Sequence, residues 1–537
     1  MKANFITSKD FLYIIPASLA LGAWFSSIQG RGWVAGSLAF SFLFLLSFTF
    51  LKVAHGWSNG GKTLGIAIAL AFLLRLGVGA TLYWTLPLYG HADADDRFGY
   101  VFTDAHTRDT QAWRLAASDR PILDAFSKKY SSDQYGGLLA FNALIYRYLS
   151  ADAQRPLMLI LFSAFFAALG VPFLWKAASQ VFGEKAAWAS TWIFALFPES
   201  ILLGASAMRE PYVLTFSAFA LWGFVDSRAE RSELIGERRR HLHLAQVQVS
   251  AWLWLGLGLL GMLLVSPAIA LVTIIIFGGW IFFASERRQL SWKAIIAVAV
   301  VFILSLFFLS SALNRSGQFE STSPLHVIND WLQSAVKWDA YQLERESGWV
   351  QKLFDEMPEW MRLPFVAIYG MLQPVLPATF MRPTMLIWKL IGLLRALGWY
   401  GILPLLILSF GAAAGAGSRR TRNLILWLAI ITWTWILLAA LRGGGDLWDN
   451  PRYRTLLFLW QSILAGYTWV WWRESRSVWV WVIVAMEVVF TLVFTHWYGN
   501  RYYYWPGQLP FPVMVALILG LWGVILAVGW WLRKRRA

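Results

Sequence analysis

Cysteine is absent from all 537 residues, which excludes a disulfide framework, a thiolate metal site and a thiol nucleophile. With nothing to oxidise, that absence carries no information about compartment. Charge is scarce as well: Asp, Glu, Lys and Arg make up 14% of the chain, against roughly 25% in soluble domains. Hydrophobic residues make up 58% and the mean hydropathy is +0.53. That excludes disorder and argues against the three or four soluble domains that about 150 residues per domain would suggest. What is plentiful is aromatic: 34 Trp, 38 Phe and 18 Tyr. Such an excess fits rings seated at membrane interfaces. The chain belongs in a bilayer.

A bilayer-crossing helix needs about 20 mostly apolar residues. Fourteen stretches qualify, near 11–28, 33–54, 64–89, 156–176, 186–205, 210–226, 249–266, 268–284, 294–313, 386–410, 423–441, 456–472, 478–495 and 511–532. Ser266-Pro267 marks the break inside the long 249–284 run. Two shorter pieces, 137–150 and 363–380, carry Asn142 and Arg147, or Pro374 and Pro377, and read as interfacial or re-entrant. The expected architecture is an all-α polytopic membrane protein of about fourteen transmembrane helices.

The net charge of 46 − 30 = +16 suits nucleic acid or anionic lipid, and its placement decides between them. With both short pieces non-spanning, the clusters Arg228 to Arg240, Arg287 to Lys293, Arg419 to Arg422, Arg473 and Arg476, and Arg533 to Arg536 fall on one face. That face is cytoplasmic by the positive-inside rule, together with both termini. The basic excess is a topology signal, and nucleic acid drops out as a partner. The location expected is a multi-pass plasma or inner membrane. Residues 11–28 after Lys2 and Lys9 also resemble a signal peptide, but a retained span is the preferred reading. No internal repeat of 20–50 residues is evident.

Gly56 to Thr63 matches the phosphate-loop pattern G-x-x-x-x-G-K-T. The mechanism needs a strand before it and a helix after it on a soluble sheet. Here the pattern falls on a short turn between two spans, so nucleotide binding is not expected.

The opposite, outer face receives loops 90–135, 205–209, 314–360, 442–455 and 496–510. Loop 90–135 holds eight acidic residues against six basic ones, and 314–360 eight against four. Asp104 opens a helical pattern in which Thr103 or Asp104 can cap and Ala112 and Leu115 face the protein. Arg108 is an i,i+4 neighbour of Asp104, which makes an ion pair the local alternative. Further on, Glu199, Arg209 and Glu210 lie at or inside an apolar boundary, where ionisable groups are costly and point to function. Glu210 before Pro211 also suits the positive end of a helix. Around Gly443 to Arg454, Arg452 and Arg454 can grip a phosphate, or snorkel from a glycine-rich turn. Arg75 and Glu487 are the few other span charges, thin for a transport path.

His91, Asp93, Asp95 and Asp96 offer hard oxygen ligands at alternate positions, suited to magnesium or manganese, or else form a solvated acidic turn. No other cofactor is expected. Trp331, Trp338, Tyr341, Trp349 and Trp360 can stack on a sugar or lie on the membrane surface.

Asp104-Ala-x-x-Arg108-x-x-x-Ala112-x-x-Leu115, following a span, resembles the first outer-loop motif of the GT-C superfamily of membrane glycosyltransferases. That group includes protein O-mannosyltransferases and aminoarabinose transferases. Tyr135-Gly-Gly-Leu, Phe182-Gly and the Pro198 helix follow the same order, and Glu210 stands 210 − 104 = 106 positions after Asp104. Arg108 replaces a frequent Tyr of the motif, and Gly136-Gly137 a frequent pair of prolines.

The resemblance implies a GT-C-like core at 64–226 that includes outer loop 90–135. It leaves 1–63 as an N-terminal hairpin extension, 227–313 as a basic loop with additional spans, 314–385 as an outer loop with a re-entrant or interfacial segment, and 386–537 as C-terminal helices with outer loop 442–455. It implies an inverting transfer from a polyprenyl-phosphate sugar to a glycan, lipid or protein acceptor at the outer face, among membrane lipids. Asp104 and Glu210 are the catalytic candidates; Arg108, Asp109, Glu199, Arg209, Arg452 and Arg454 are the substrate-binding candidates; no metal ligand is assigned. A lipid-linked oligosaccharide polymerase, ligase or flippase is the alternative.

Overall fold

The computed structural model describes residues 6–30, 32–130, 135–234, 241–284, 358–443 and 448–536, besides 296, 300 and 303. Among the described residues every regular element is helical. By length and composition eight of the described helices can cross a membrane, or nine if one bent pair is a single span. The protein is an all-α, multi-pass integral membrane protein. Each expected stretch falls on helix except 294–313, which lies outside the described residues apart from three isolated positions. Loop 314–360, with Trp331, Trp338, Tyr341 and Trp349, also lies outside them up to Pro358.

The chain forms two compact units, each with its own packing. The first comprises the described residues of Met1–Phe282, Arg288–Trp331 and Leu456–Leu459. Its helices are α1 (Ser8–Gln29), α2 (Trp33–Ser58), α3 (Gly61–Tyr89), α4 (Ala94–Arg97), α5 (Thr103–Ala116), α6 (Gly137–Leu149), α7 (Pro156–Phe182), α8 (Glu184–Leu196), α9 (Pro198–Ala205), α10 (Glu210–Leu234), α11 (His241–Val265) and α12 (Pro267–Ala284). Helix α7 is the hub: 83% of its apolar window is buried, and it packs against α2, α3, α8 and α10. Pro156 opens it, where the missing N–H is no loss. Gly183, at φ +82°, closes it in a conformation that a side chain would strain.

In a bilayer, close packing replaces the hydrophobic drive between helices, so small residues mark the contacts. A Cβ on Gly258 would meet the Phe216 carbonyl and the Ala220 nitrogen at 2.5 Å, and one on Gly223 the Leu255 nitrogen at 2.4 Å. These two glycines let the backbones of α10 and α11 touch. The phosphate-loop pattern is a turn here: α2 ends at Ser58, Asn59 is left-handed and α3 begins at Gly61. A nucleotide-binding strand has no place in it.

Stretch 186–205 is broken: α8 and α9 are bent by 46° and are apolar enough to cross together as one span. Phe197 stands between them at ψ 120°, the extended backbone that a following proline imposes, and Pro198 opens α9. Helix α6, at 13 residues or about 20 Å, is too short for a hydrocarbon core of about 30 Å.

The second unit takes the described residues of Leu332–Thr455 and Trp460–Ala537, with Phe283–Arg287. Its helices are α13 (Glu359–Leu372), α14 (Leu376–Met381), α15 (Leu386–Ile407), α16 (Ser409–Ala414), α17 (Arg419–Arg442), α18 (Asp449–Thr455), α19 (Phe458–Ser475), α20 (Trp479–Tyr503) and α21 (Phe511–Arg536). The expected short segment 363–380 is broken between α13 and α14, neither long enough to span. Phe494 and Trp497 of α20 pack with Met514 and Ile518 of α21 in a buried cluster that also takes in Val366 and Val375.

Candidate active site

Helix α5 is amphipathic, and its buried stripe is Ala105, Arg108, Asp109, Ala112 and Leu115, including the two apolar positions expected. Asp104 lies on the other face and is exposed. The expected cap is corrected: Phe102 is the N-cap, no side chain caps the helix, and Asp104 sits in its first turn. The Thr103 hydroxyl is donated to Asp95 Oδ2 at 2.5 Å, so the chain turns helical one residue before a Thr103 cap would allow. A first-turn carboxylate suits the positive helix end.

Asp109 is enclosed. The phenols of Tyr100 and Tyr146 donate to its two oxygens, Oδ2 and Oδ1. Burial pushes its carboxyl up to about 6, while hydrogen bonds from Tyr100, Tyr146 and Gln154 and the charge of His106 pull the other way. The Tyr100 hydroxyl is also raised, by burial first and then by the Asp109 charge. His106 stacks on Tyr100 at 4.5 Å and lies 2.8 Å from Asp95 through Nδ1. A carboxylate held between two phenols fits an anchor for α5 on α6 better than a group that meets substrate.

Arg147 of α6 closes the other end of α5. It donates to the carbonyls of Leu115, Ala116, Ser118 and Arg120 at 2.7–3.2 Å. A cation at the negative end of a helix is favourable. Helix α5 is thus fastened at both ends, and Asp104 is carried on a fixed element.

The bent pair delivers the second group of candidates. Glu199 lies in the first turn of α9 and Glu210 opens α10, both buried. The two carboxylates therefore occupy the positive ends of successive helices. Arg209 is buried between them in sequence, its Nε 3.7 Å from Glu210 Oε1 and its guanidinium 5.4 Å from the Tyr135 ring centre. Arg108 is buried on the packed face of α5.

A narrow cleft with room for about 20 Å³, roughly one water, lies between α5 and the end of α9. It is lined by Ala105 and Asp109 of α5, Asn142 of α6, Ala205 at the end of α9 and Ala207 of the α9–α10 link, while Asp104, Glu199, Arg209 and Glu210 are not among its lining residues. Asn142 is buried, and its Oδ1 has no hydrogen-bond partner among the described residues.

Arg75 of α3 holds the bend. Its Nη1 donates to Ala71 and to Ala195, near the end of α8, both at 3.0 Å. Its Nη2 donates to Ser200 at the start of α9, at 2.9 Å. Gly204 makes room, since a Cβ there would meet the Arg75 chain at 2.7 Å.

The acidic turn is committed to its own structure. Asp93 caps α4 by accepting from the Asp96 amide at 2.8 Å, Asp96 accepts from the His91 amide, and Asp95 holds Thr103 and His106. Among the described residues no three His, Cys, Asp or Glu side chains are placed to hold a metal ion. The residues do not fit a magnesium or manganese site at this turn.

Within the second unit, Arg454 is buried with its guanidinium 3.3 Å from the Trp399 ring centre. It donates to the carbonyls of Met371 at 3.3 Å and Gln373 at 3.0 Å, which lie at the end of α13. That geometry fits a bolt more than a phosphate clamp. Arg452 is also buried and lies 3.6 Å from Asp449.

Three elements were not singled out from sequence: the two phenols, Arg147 as a cap, and Arg155. Arg155, before the proline that opens α7, donates to both oxygens of Asp152 at 2.7 Å and to the Gly32 carbonyl at 3.0 Å. The spacing Asp152-x-x-Arg155-Pro156 was the available signal.

No family model and no curated protein matches this chain. Among solved structures it is similar to the archaeal oligosaccharyltransferase AglB from Archaeoglobus fulgidus in complex with an inhibitory peptide and a dolichol-phosphate. That match has a TM-score of 0.43 and 15% identity, over 87% of this chain and 54% of that one. It is also similar to the Archaeoglobus fulgidus oligosaccharyltransferase tethered with an acceptor peptide, with a TM-score of 0.41, 15% identity and the same coverage. This chain spans about half the length of those structures, 54%.

Proposed function

We propose that the protein is an inverting membrane glycosyltransferase that moves a sugar from a polyprenyl-phosphate donor to an acceptor hydroxyl at the outer face. The observation that supports this reading is the placement of α5, which carries exposed Asp104, beside the end of α9 and the α9–α10 link, next to which Arg209 and Glu210 are buried. The cleft between these elements is lined by neighbours of Asp104, Arg209 and Glu210, not by those residues themselves. The motif around Asp104 supports it from the sequence.

Asp104 accepts the acceptor's hydroxyl proton as that oxygen bonds to the anomeric carbon. The bond from that carbon to the phosphate oxygen breaks on the opposite side, and the prenyl phosphate leaves with the electron pair. A base so placed contributes about 10²–10⁴-fold. Arg209 stabilises the charge that grows on the phosphate, where a preorganised donor is most effective. Glu210, with Glu199, orients the acceptor and fixes Arg209. Arg108, buried on the packed face of α5, contributes to substrate binding, and Asp109 fixes α5. Within the second unit, Arg454 positions the end of α13. The outer-face site, cytoplasmic termini and plasma or inner membrane location rest on the charge asymmetry of the loops.

The test is incubation of the purified protein with a panel of prenyl-phosphate sugars and a mixed acceptor fraction. Sugar loss from one donor, with release of prenyl phosphate, is expected. Stability of every donor alongside active uptake of intact lipid-linked glycan would favour the flippase alternative.

A further inference from the structure

The second unit has a membrane cleft at the end opposite its buried α20–α21 cluster. It is an open groove of about 820 Å³ between the α19–α20 hairpin and the last turns of α21. Its walls are apolar, with Trp472 and Trp481 on one side, Val482 and Ala485 at the base, and Val528 on the other. Trp481 meets Trp472 edge-on at 5.8 Å, so the aromatic wall is a fixed surface. Gly529 brings α21 down onto α20: a Cβ there would meet Val482 at 2.5 Å. Along α21 the groove runs from Val524 to Leu532, about 12 Å of helix.

Helices α20 and α21 are the least buried of the candidate spans, with 17% and 11% of their apolar windows covered. Their exposed flanks are therefore surfaces for lipid. One end of the groove is basic. Arg473 and Arg476 line it, both exposed, and Arg533, Lys534 and Arg535 extend the same end of α21. Glu474 is the acidic residue within this stretch. Arg535 lies 3.8 Å from the Trp531 ring centre and Lys534 5.6 Å from that of Trp530, which gathers cations and interfacial rings together. Apolar walls beneath paired arginines and tryptophans match a diacyl lipid, not a soluble anion, since a free phosphate has no use for the walls. Basic recesses between membrane helices bind anionic head groups, and guanidinium groups suit phosphate by their fork of donors.

We propose that this groove is a binding site for an anionic phospholipid, with its phosphate on Arg473 and Arg476 and one acyl chain along Val482, Ala485 and Val528. It stands apart from the glycosyl-transfer reading and does not depend on it.

The experiment is native mass spectrometry of the full-length protein released from micelles containing phosphatidylglycerol or phosphatidylcholine with identical chains. Retention of phosphatidylglycerol roughly tenfold above phosphatidylcholine is expected, and loss of that preference in Arg473→Gln/Arg476→Gln. Ala485→Phe, which fills the groove and keeps both arginines, should lower retention as well. Arg501→Gln removes a charge at the opposite end of α20 and should leave retention unchanged. Equal retention of the two lipids, an unaffected groove variant, or an equal loss in the control variant overturns the site.

Discussion

The guanidinium of Arg75 on α3 donates to the hydroxyl of Ser200 on α9 at 2.9 Å, 125 positions away in sequence. The same side chain holds the carbonyl of Ala195 at 3.0 Å. One buried cation therefore joins the negative end of α8 to the beginning of α9 and fixes the 46° bend that places Glu199.

Replacing Arg75 by Met removes both bonds and leaves the Ala195 carbonyl and Ser200 hydroxyl without their donor inside the protein. A loss of about 2–4 kcal/mol in stability follows. Arg75→Lys should lose less, because an ammonium retains one of the two acceptors. Thermal unfolding in detergent measures this. An Arg75→Met protein that melts with the wild type would remove the bend's support from this residue.

Asp109 makes a prediction with a defined sign. Its carboxyl is raised in the folded protein to about 6 from an ordinary 3.8, so the folded state holds the proton more tightly than the unfolded one. Its contribution is complete below pH 4 and is lost as the pH rises through 6. The stability difference between wild type and Asp109→Asn should fall by about 2–3 kcal/mol between pH 4 and pH 7. Comparing the two proteins cancels carboxylates such as Asp152, which Arg155 holds low and which act in the opposite direction. A difference that is flat or rises with pH contradicts the buried cage.

Arg454 separates positioning from phosphate binding. Its donors serve the carbonyls of Met371 and Gln373, and its plane lies on Trp399. Lys keeps the charge but not the fork or the stacking. Arg454→Lys should therefore cost about 2 kcal/mol of stability, roughly two hydrogen bonds, with little change in donor KM once folded. A raised KM at unchanged melting temperature would return Arg454 to the donor phosphate.

The helices were legible because apolar runs of membrane length leave few alternatives, and α5 because Ala112 and Leu115 fall on one stripe. The break at Phe197-Pro198 was also written in the chain, yet hydropathy alone runs straight through it. Asp109 was harder: its phenols come from Tyr100, before α5, and from Tyr146, 37 positions on, and no local pattern pairs them. The partners of Arg454 lie 81 and 83 residues away, so its bonds to the end of α13 could not be read from the local sequence. Charges in apolar surroundings announced themselves in the sequence. The long-range partners that hold them left no local trace there.

Transfer by Asp104→Asn tests the central claim most directly. The variant keeps the shape of an exposed side chain in the first turn of α5, so insertion and melting should match the wild type. With the donor found in the panel, transfer should fall by about 10²–10⁴-fold while donor binding persists. Undiminished transfer by a normally folded Asp104→Asn protein would contradict the account.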